Sequence, residues 1–419
     1  METPRPVRRS RLEPYLLRLG LALALVAFLS FCALWVRWQS APGVVRLSGD
    51  FVSFWTAGKL ALAGHAADAY QEAPHFIEQI AVHGDPRWQY LAFFYPPFFM
   101  LLCGGLALLG YFPALCVWLA TTCAGYAAAM RALLPNSLRG GQPVWLLLMG
   151  YPAVMVNAGF GQNGFLSTAL LGGAAVWMDR RPILAGMCLG GLAYKPQLGI
   201  ILPLALIVAG RWRCFAAAAA TVLLLAAAAT LAFGADIWPA FFAGMGHARV
   251  NWLEPTSPHY MKFFVTVYGA IRFHNGPLVL AYTAQAAVTV AAALMLVLAL
   301  WRRPSGMRSG RAEIAAITAC VPFCSPFMLE YDLVILAVPM AWLLSEALRD
   351  GFRRGELATL LGVYLAPVLF KVTLFDNTMK LSVIAAAGML FAAVLRRMTE
   401  KPQTVTARGG SVIANPLAA

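Results

Sequence analysis

The chain has 419 residues, 60% hydrophobic and only 12% charged, with a formal net charge of +14 and a mean hydropathy of +0.70. Soluble globular chains carry about twice that share of charge, so a soluble globular domain is excluded. The positive charge would point to nucleic acid in a soluble protein, but here it falls in short clusters between apolar runs, the pattern of cytoplasmic loops, and no nucleic-acid partner is expected.

Arg5, Arg8, Arg9, Arg11 and Arg18 precede an apolar run at 16–35 that is long for a signal peptide and lacks a clean small-residue cleavage site. It reads as an uncleaved first transmembrane helix that starts in the cytoplasm. The interval 48–97 that follows is too polar to cross a bilayer. It carries Asp50, Lys59, His65, Asp68, Glu72, His75, Glu78, His83, Asp85 and Arg87, and topology places it on the outer face. Asp50, just after the first span, belongs at the membrane–water boundary, where a carboxylate can act as a base on a substrate arriving from lipid. Segments 52–62 and 73–82 are expected to form short amphipathic helices lying on the surface.

Tyr95-Pro96-Pro97 opens a run to Leu109, and a second run at 111–130 follows after almost no turn. Runs at 144–160 and 165–178 are split by Gly161-Gln162-Asn163-Gly164. Strict alternation puts the basic loop 131–143 outside, whereas its charge puts it inside; either one run between 93 and 178 is re-entrant or the boundaries shift. Asp179-Arg180-Arg181-Pro182 marks a cytoplasmic turn, and the arms 183–194 and 198–210 form a hairpin with Lys195-Pro196-Gln197 at its tip. Each arm is short for a ~30 Å hydrocarbon core, so this hairpin is expected to be partly re-entrant and to line a cavity.

A run at 215–233 leads to a second outer loop, 235–276, rich in Trp, Phe, His and Pro. A run at 277–301 returns to a basic loop, 312–323 goes out, 325–332 turns, and 333–348 comes back; 357–374 and 381–395 form a last pair. The chain is therefore expected to be an all-α polytopic membrane protein with about 10 spans, within about 8–12. Residues 1–395 read as a single membrane domain and 396–419 as a disordered cytoplasmic tail. No repeat period stands out, which weighs against an inverted-repeat transporter.

Most of the eight cysteines lie inside apolar runs and no CxxC pair occurs, so they read as small buried hydrophobes; Cys320 and Cys324, one helical turn apart, read as packing. His65, His75, His83, His247 and His274 show no ligand spacing and are expected to face solvent or headgroups. With no second carboxylate within a few residues of Asp50, no metal is expected.

Several motifs in order resemble glycosyltransferase family 87, the polyprenyl-phosphate-mannose-dependent mannosyltransferases. They are Gly49-Asp50-Phe51, Tyr95-Pro96-Pro97, Gly161-Gln162-Asn163, Arg181-Pro182 before a Gly-rich arm ending in Lys195-Pro196, and Ser325-Pro326 before an acidic, aromatic stretch. The resemblance covers most of the chain. It implies a C-type glycosyltransferase fold, an inverting reaction, and a polyprenyl-phosphate-linked sugar as donor substrate rather than cofactor. Many members place a His after the acidic residue that follows the Ser-Pro, where this chain reads Glu330-Tyr331-Asp332.

On that resemblance the acceptor hydroxyl needs a base, the phosphate needs cationic partners and the lipid tail needs an apolar groove. Asp50 suits the base, a role worth ~10²–10⁴-fold; the alternative is a helix N-cap. Lys195 suits the phosphate, the alternative being snorkelling to the interface; His259, Lys262 and Arg249 are further cations, or merely solvated. Gln162, Asn163 and Gln197 are candidates for sugar or acceptor hydroxyls, with capping as the alternative for Gln162 and Asn163. Glu330, Tyr331 and Asp332 are further acceptor-site candidates; the two carboxylates alternatively bind a cation or pair with Lys371. Trp55, Tyr95 and Trp252 are expected to stack on sugars or to join an aromatic belt.

The resulting expectation is transfer of a hexose, mannose by family default, to a glycan or glycolipid acceptor on the outer side of a bacterial plasma membrane. A transporter or flippase of a lipid-linked sugar is the competing expectation, and an assembly scaffold with a degenerate site a third.

Overall fold

The computed structural model describes residues 49–84, 89–134, 145–254, 258–303, 309–372 and 378–400. The expected first span at 16–35 and the expected tail from 401 on lie outside the described residues; residues 396–399, read as the start of that tail, instead continue the last helix. Within them the chain is helical, with one isolated antiparallel bridge, Phe264 with Leu329, in place of a sheet. That is the outcome bilayer physics favours, since a helix satisfies its own backbone hydrogen bonds where no water can.

Among the described residues five helices are long and apolar enough to cross a membrane: Tyr111–Leu133, Trp212–Phe233, Leu278–Arg302, Glu330–Asp350 and Leu381–Thr399. Shorter apolar helices pack between them, including Gly164–Trp177 and Pro182–Tyr194. The chain is an all-α membrane protein.

Helix α1 (Phe51–Leu62) and helix α2 (Glu72–His83) coincide with the two short helices expected in the first polar interval. Their placement differs from the expectation. Most of α1 is buried, Phe51, Phe54 and Ala57 among its inward residues, because α3 (Pro97–Ala107) lies across it. Gly58 permits the crossing, since a Cβ there would strike the Cys103 carbonyl. His75 and His83 are also buried rather than solvent-facing, whereas His65, His247 and His274 are exposed as expected.

Helix α3 bears on the topology conflict. Its 11 residues reach ~16 Å, half of a ~30 Å core. Both ends stay beside α1: Tyr95 packs on Phe54 with ring centroids 5.1 Å apart, and the Leu109 carbonyl accepts from Trp55 Nε1 at 3.0 Å. Helix α4 (Tyr111–Leu133) then starts against Phe51 and carries Arg131 toward the opposite end. Of the two options the sequence left, a re-entrant run is the one that agrees with the charge of the 131–143 loop.

The chain returns through α5 (Trp145–Met149) and α6 (Pro152–Phe160), broken where Pro152 starts the second piece, and leaves again as α7 (Gly164–Trp177). The expected hairpin is α8 (Pro182–Gly191), a 3₁₀ turn at Leu192–Tyr194, then α9 (Pro196–Gly199) and α10 (Leu202–Val208). Gly186 and Gly190 let α8 meet α11 (Trp212–Phe233) backbone to backbone, at Cys214 and Ala218, the small-residue contact that membrane helices use in place of a hydrophobic drive.

The hairpin's open end is tied by charge. Arg211 pairs with Asp179 at 2.7 Å and with Glu313 at 2.8 Å, and Arg303 also pairs with the buried Glu313. Glu313 belongs to α15 (Gly310–Cys320), reached after α12 (Ile237–Ala248), α13 (Val267–Phe273) and α14 (Leu278–Arg302). A 3₁₀ turn at Glu330–Leu336 leads into α16 (Ala337–Asp350), and α17 (Glu356–Val372) and α18 (Thr378–Thr399) close the bundle. Arg397 of α18 pairs with Glu356 at 2.6 Å and donates to the Gly351 carbonyl. Asn163 and Asp179 bracket α7, so these ion pairs sit at one end of the bundle and the Gly161–Gly164 turn at the other.

Candidate active site

Four segments far apart in sequence meet at that second end: the start of α1, the turn between α6 and α7, the hairpin tip and the 3₁₀ turn after Ser325. Asp50 occupies the N-cap position of α1, yet its side chain makes no capping bond. Its backbone N–H donates to the Phe160 carbonyl at 3.1 Å, which fastens α1 to the end of α6, and its Oδ2 accepts from Gln162 Nε2 at 2.7 Å. Of the two readings of Asp50, capping by the side chain is not what the geometry holds.

Gln162 can reach Asp50 because α6 stops at Gly161, whose φ of 66° is left-handed, a conformation glycine adopts without penalty. The turn is then fixed on both sides. Trp118 Nε1 donates to the Gly161 carbonyl at 2.9 Å, and the Gly164 N–H donates to Asn157 Oδ1 at 2.8 Å. A side chain at position 164 would collide with Asn157 and Val334.

At the hairpin tip, Lys195 is 2% exposed, so it does not snorkel. Its Nζ forms a buried ion pair with Asp332, donates to Asn163 Oδ1 at 3.1 Å and sits 5.0 Å from the centre of the Tyr331 ring. Asp332 accepts in turn from the Leu329 N–H at 3.2 Å. The side chain of Lys371, the other partner the sequence offered, lies outside the described residues. Lysine offers three donors; two are engaged here, which leaves one for the cavity that Lys195 lines.

That cavity measures about 60 Å³. On the same measure a water takes ~10–15 Å³, so there is room for roughly four to six waters, enough for a compact polar group and far too little for a long lipid chain. Asp50, Tyr95, Gln162, Lys195, Gln197 and Tyr331 line it. Asn163, Glu330 and Asp332 are buried just behind these walls. Trp252 also lines it; Trp55 does not, its ring lying 5.8 Å from Tyr111 on the far side of α1.

Lys262 and Arg249 of the second loop are not among the described lining residues. Lys262 Nζ lies over the Phe263 ring at 4.9 Å, and exposed Arg249 pairs with Glu254 at 2.8 Å. The side chain of His259 lies outside the described residues. The loop contributes Tyr260 instead, held in place where the Val265 N–H donates to the Met328 carbonyl at 3.0 Å. Sequence reasoning also passed over Tyr194, whose hydroxyl bonds Ser167 Oγ at 2.6 Å and donates to the Asn163 carbonyl at 3.1 Å. Its position beside Lys195 was the available signal.

The Asp50 carboxyl is half-buried and enclosed by protein. Burial pushes its pKa up from 3.8 to about 6, and the nearby Glu330 and Asp332 carboxylates push the same way, while the Gln162 bond and Lys195 pull it down. Behind the wall, His75 is held neutral, its pKa lowered to about 4 by burial. Thr56 spends its hydroxyl proton on the Val52 carbonyl at 2.7 Å, so His75 Nε2 is the donor toward Thr56 Oγ1 at 2.8 Å and the Ser53 carbonyl at 3.2 Å. Gln79, beside Nδ1, exchanges two hydrogen bonds with the Leu91 backbone. Leu91 and Ser53 are cavity wall, so this network shapes the site without entering it. Among the described residues no group of three His, Cys, Asp or Glu side chains is placed to hold a metal ion.

A sequence model of glycosyltransferase family 87 matches residues 93–326, more than half of the chain. The chain belongs to glycosyltransferase family 87. The matched segment contains Tyr95, Gln162, Asn163 and Lys195, while Asp50 and Glu330-Tyr331-Asp332 flank it and are brought to the same cavity by the fold. No curated protein and no solved structure matches the chain. Family membership makes this membrane protein a glycosyltransferase.

Proposed function

We propose that this family 87 glycosyltransferase transfers a hexose, by family default mannose, from a polyprenyl-phosphate donor to a hydroxyl of a glycan or glycolipid, with Asp50 as general base. The acceptor oxygen attacks the anomeric carbon as its proton passes to Asp50. The bond from that carbon to the phosphate oxygen breaks, and the polyprenyl phosphate leaves with the electron pair. Attack and departure on opposite faces invert the anomeric centre. The donor phosphodiester carries one negative charge and the leaving phosphate gains another, so the remaining N–H of Lys195 meets charge where it develops.

The observation that carries this reading is that Asp50 and Lys195 border one cavity, the first with a pKa of about 6, close to the pH at which a base must both hold and release a proton. The cavity has room for a phosphate or part of a sugar ring, so the rest of the donor, its prenyl tail included, would run along the outer surface of the bundle. The protein would sit in a bacterial plasma membrane with the cavity on the extracytoplasmic side, where nucleotide sugars are absent and lipid-borne sugars are the usable donors.

The test uses purified protein in lipid nanodiscs with radiolabelled polyprenyl-phosphate mannose and a glycolipid extract. Label should appear in the extract's glycolipids with inverted anomeric configuration. Label that stays on the polyprenyl lipid, and in vesicles merely changes leaflet, would overturn the proposal in favour of a flippase.

A further inference from the structure

The sequence suggested that Gln162 touches a sugar or acceptor hydroxyl, but the geometry spends that side chain elsewhere. Gln162 Oε1 accepts from the Asn163 N–H at 3.2 Å and from the Tyr95 hydroxyl at 3.3 Å, and Nε2 donates to Asp50 Oδ2 at 2.7 Å. The orientation of the amide is forced. Turned over, it would set its NH₂ against the Asn163 N–H, two donors facing, and its oxygen against the Asp50 carboxylate, two acceptors facing. The Asn163 N–H cannot switch roles, so Gln162 offers Asp50 a donor and never an acceptor. Gln162 is 4% exposed, which shields this bond from bulk solvent.

We infer that Gln162 is a positioning residue for Asp50: its fixed N–H engages Oδ2, favours the ionised carboxylate and leaves Oδ1 to take the acceptor's proton. The inference rests on the reading of Asp50 as the base. Among the described residues Oδ1 has no hydrogen-bond partner, and a carboxylate fixed through one oxygen keeps a single direction for the other. The neighbouring groups make such a donor necessary. Glu330 and Asp332 face Asp50 from the 3₁₀ turn, Lys195 faces it from the hairpin tip, and the phenols of Tyr95, Tyr111, Tyr260 and Tyr331 surround it. Among the described residues three carboxylates face this space together with the Lys195 ammonium, which Asp332 already engages. Without Gln162 the balance tilts toward a protonated, inactive Asp50.

The experiment compares wild type with Gln162→Met, which keeps the shape and removes the donor, and Gln162→Glu, which keeps an acceptor for the Asn163 N–H but turns oxygen toward Asp50. Two quantities are read against pH. One is transfer of labelled sugar. The other is the infrared band of the protonated Asp50 carboxyl, assigned by its loss in Asp50→Asn, which needs no activity. The loss of one hydrogen bond to a charged group should move the Asp50 midpoint up by about one pH unit in Gln162→Met, and further in Gln162→Glu. Transfer at pH 6 should fall about fivefold in Gln162→Met and recover above pH 8.

An infrared midpoint that does not move in either variant overturns the inference, as does a rise in acceptor KM that is equal at every pH, which is what a sugar-binding glutamine would give. A midpoint that moves while transfer ignores it leaves Gln162 as the group that sets Asp50 ionisation and removes Asp50 from the role of base, so the two claims fail separately.

Discussion

Replacing Asp50 with asparagine should make the protein more stable while removing its chemistry. Asparagine keeps the size of the side chain and an oxygen for Gln162 Nε2 to donate to, but carries no charge to desolvate. The native carboxyl has its pKa raised from 3.8 to about 6, so the folded state holds its proton more tightly than the unfolded state. Each pKa unit is ~1.4 kcal/mol, so keeping Asp50 ionised in the folded protein costs about 3 kcal/mol. The sign follows directly. Below pH 4 the carboxyl is protonated in both states and the cost vanishes; it grows as pH rises and is complete above pH 6.

The stability gap between Asp50→Asn and wild type should therefore be near zero at pH 4 and about 3 kcal/mol at pH 7.5, in favour of the variant. A change of 1 kcal/mol moves Tm by less in longer chains, so the expected rise is roughly 3–6 °C. Thermal unfolding in one detergent, followed by tryptophan fluorescence at several pH values, reads it. His75 titrates over part of the same range, but it is common to both proteins and cancels in the difference. A variant no more stable than wild type at pH 7.5, or a gap that does not change with pH, would refute the claim that Asp50 is held ionised against its surroundings.

Lys195→Met should destabilise by about 3–5 kcal/mol, because it strands the buried Asp332 carboxylate; adding Asp332→Asn should recover most of that Tm loss but no transfer activity. His75→Leu should lower stability by about 1–3 kcal/mol at pH 7.5 by breaking the Ser53 and Thr56 bonds. Wild-type His75 stays neutral while the unfolded chain takes up a proton below about pH 6.5, so that stability gap should narrow as pH falls from 6.5 toward about 4, read by thermal melts of both proteins. Gly58→Val should push α3 off α1 at Cys103 and cost ~1–3 kcal/mol or more, seen as a lower Tm together with reduced transfer, since both helices support the cavity.

Much of the architecture was legible because it is local. The two short helices of the first polar interval, the hairpin break at Lys195 and the turn at Gly161–Gly164 follow from proline, glycine and run length, and they appear where those residues put them. Which face a short helix buries was not legible. Helix α1 reads as a surface helix until α3, some 40 residues later, is seen to cross it, and the only local trace of that crossing is Gly58. His75 looked solvent-facing for the same reason, since the carbonyl and hydroxyl that fix it come from α1.

The site was legible in outline and not in its pairing. Asp50, Gln162, Lys195 and Asp332 were each singled out by type and neighbourhood, but Lys195 and Asp332 are 137 residues apart, and Gln162 and Asp50 are 112 apart. Nothing in a single sequence says which cation meets which carboxylate across such distances. In the second outer loop Lys262 lies over the Phe263 ring and Arg249 pairs with Glu254, while aromatic Tyr260 and Trp252 reach the cavity.

The most direct test of the account is single-turnover transfer by Asp50→Asn at pH 7.5, with donor saturating and donor binding measured in parallel. A carboxylate acting as general base predicts a rate lower by ~10²–10⁴-fold with donor affinity preserved. Transfer at the wild-type rate would contradict it.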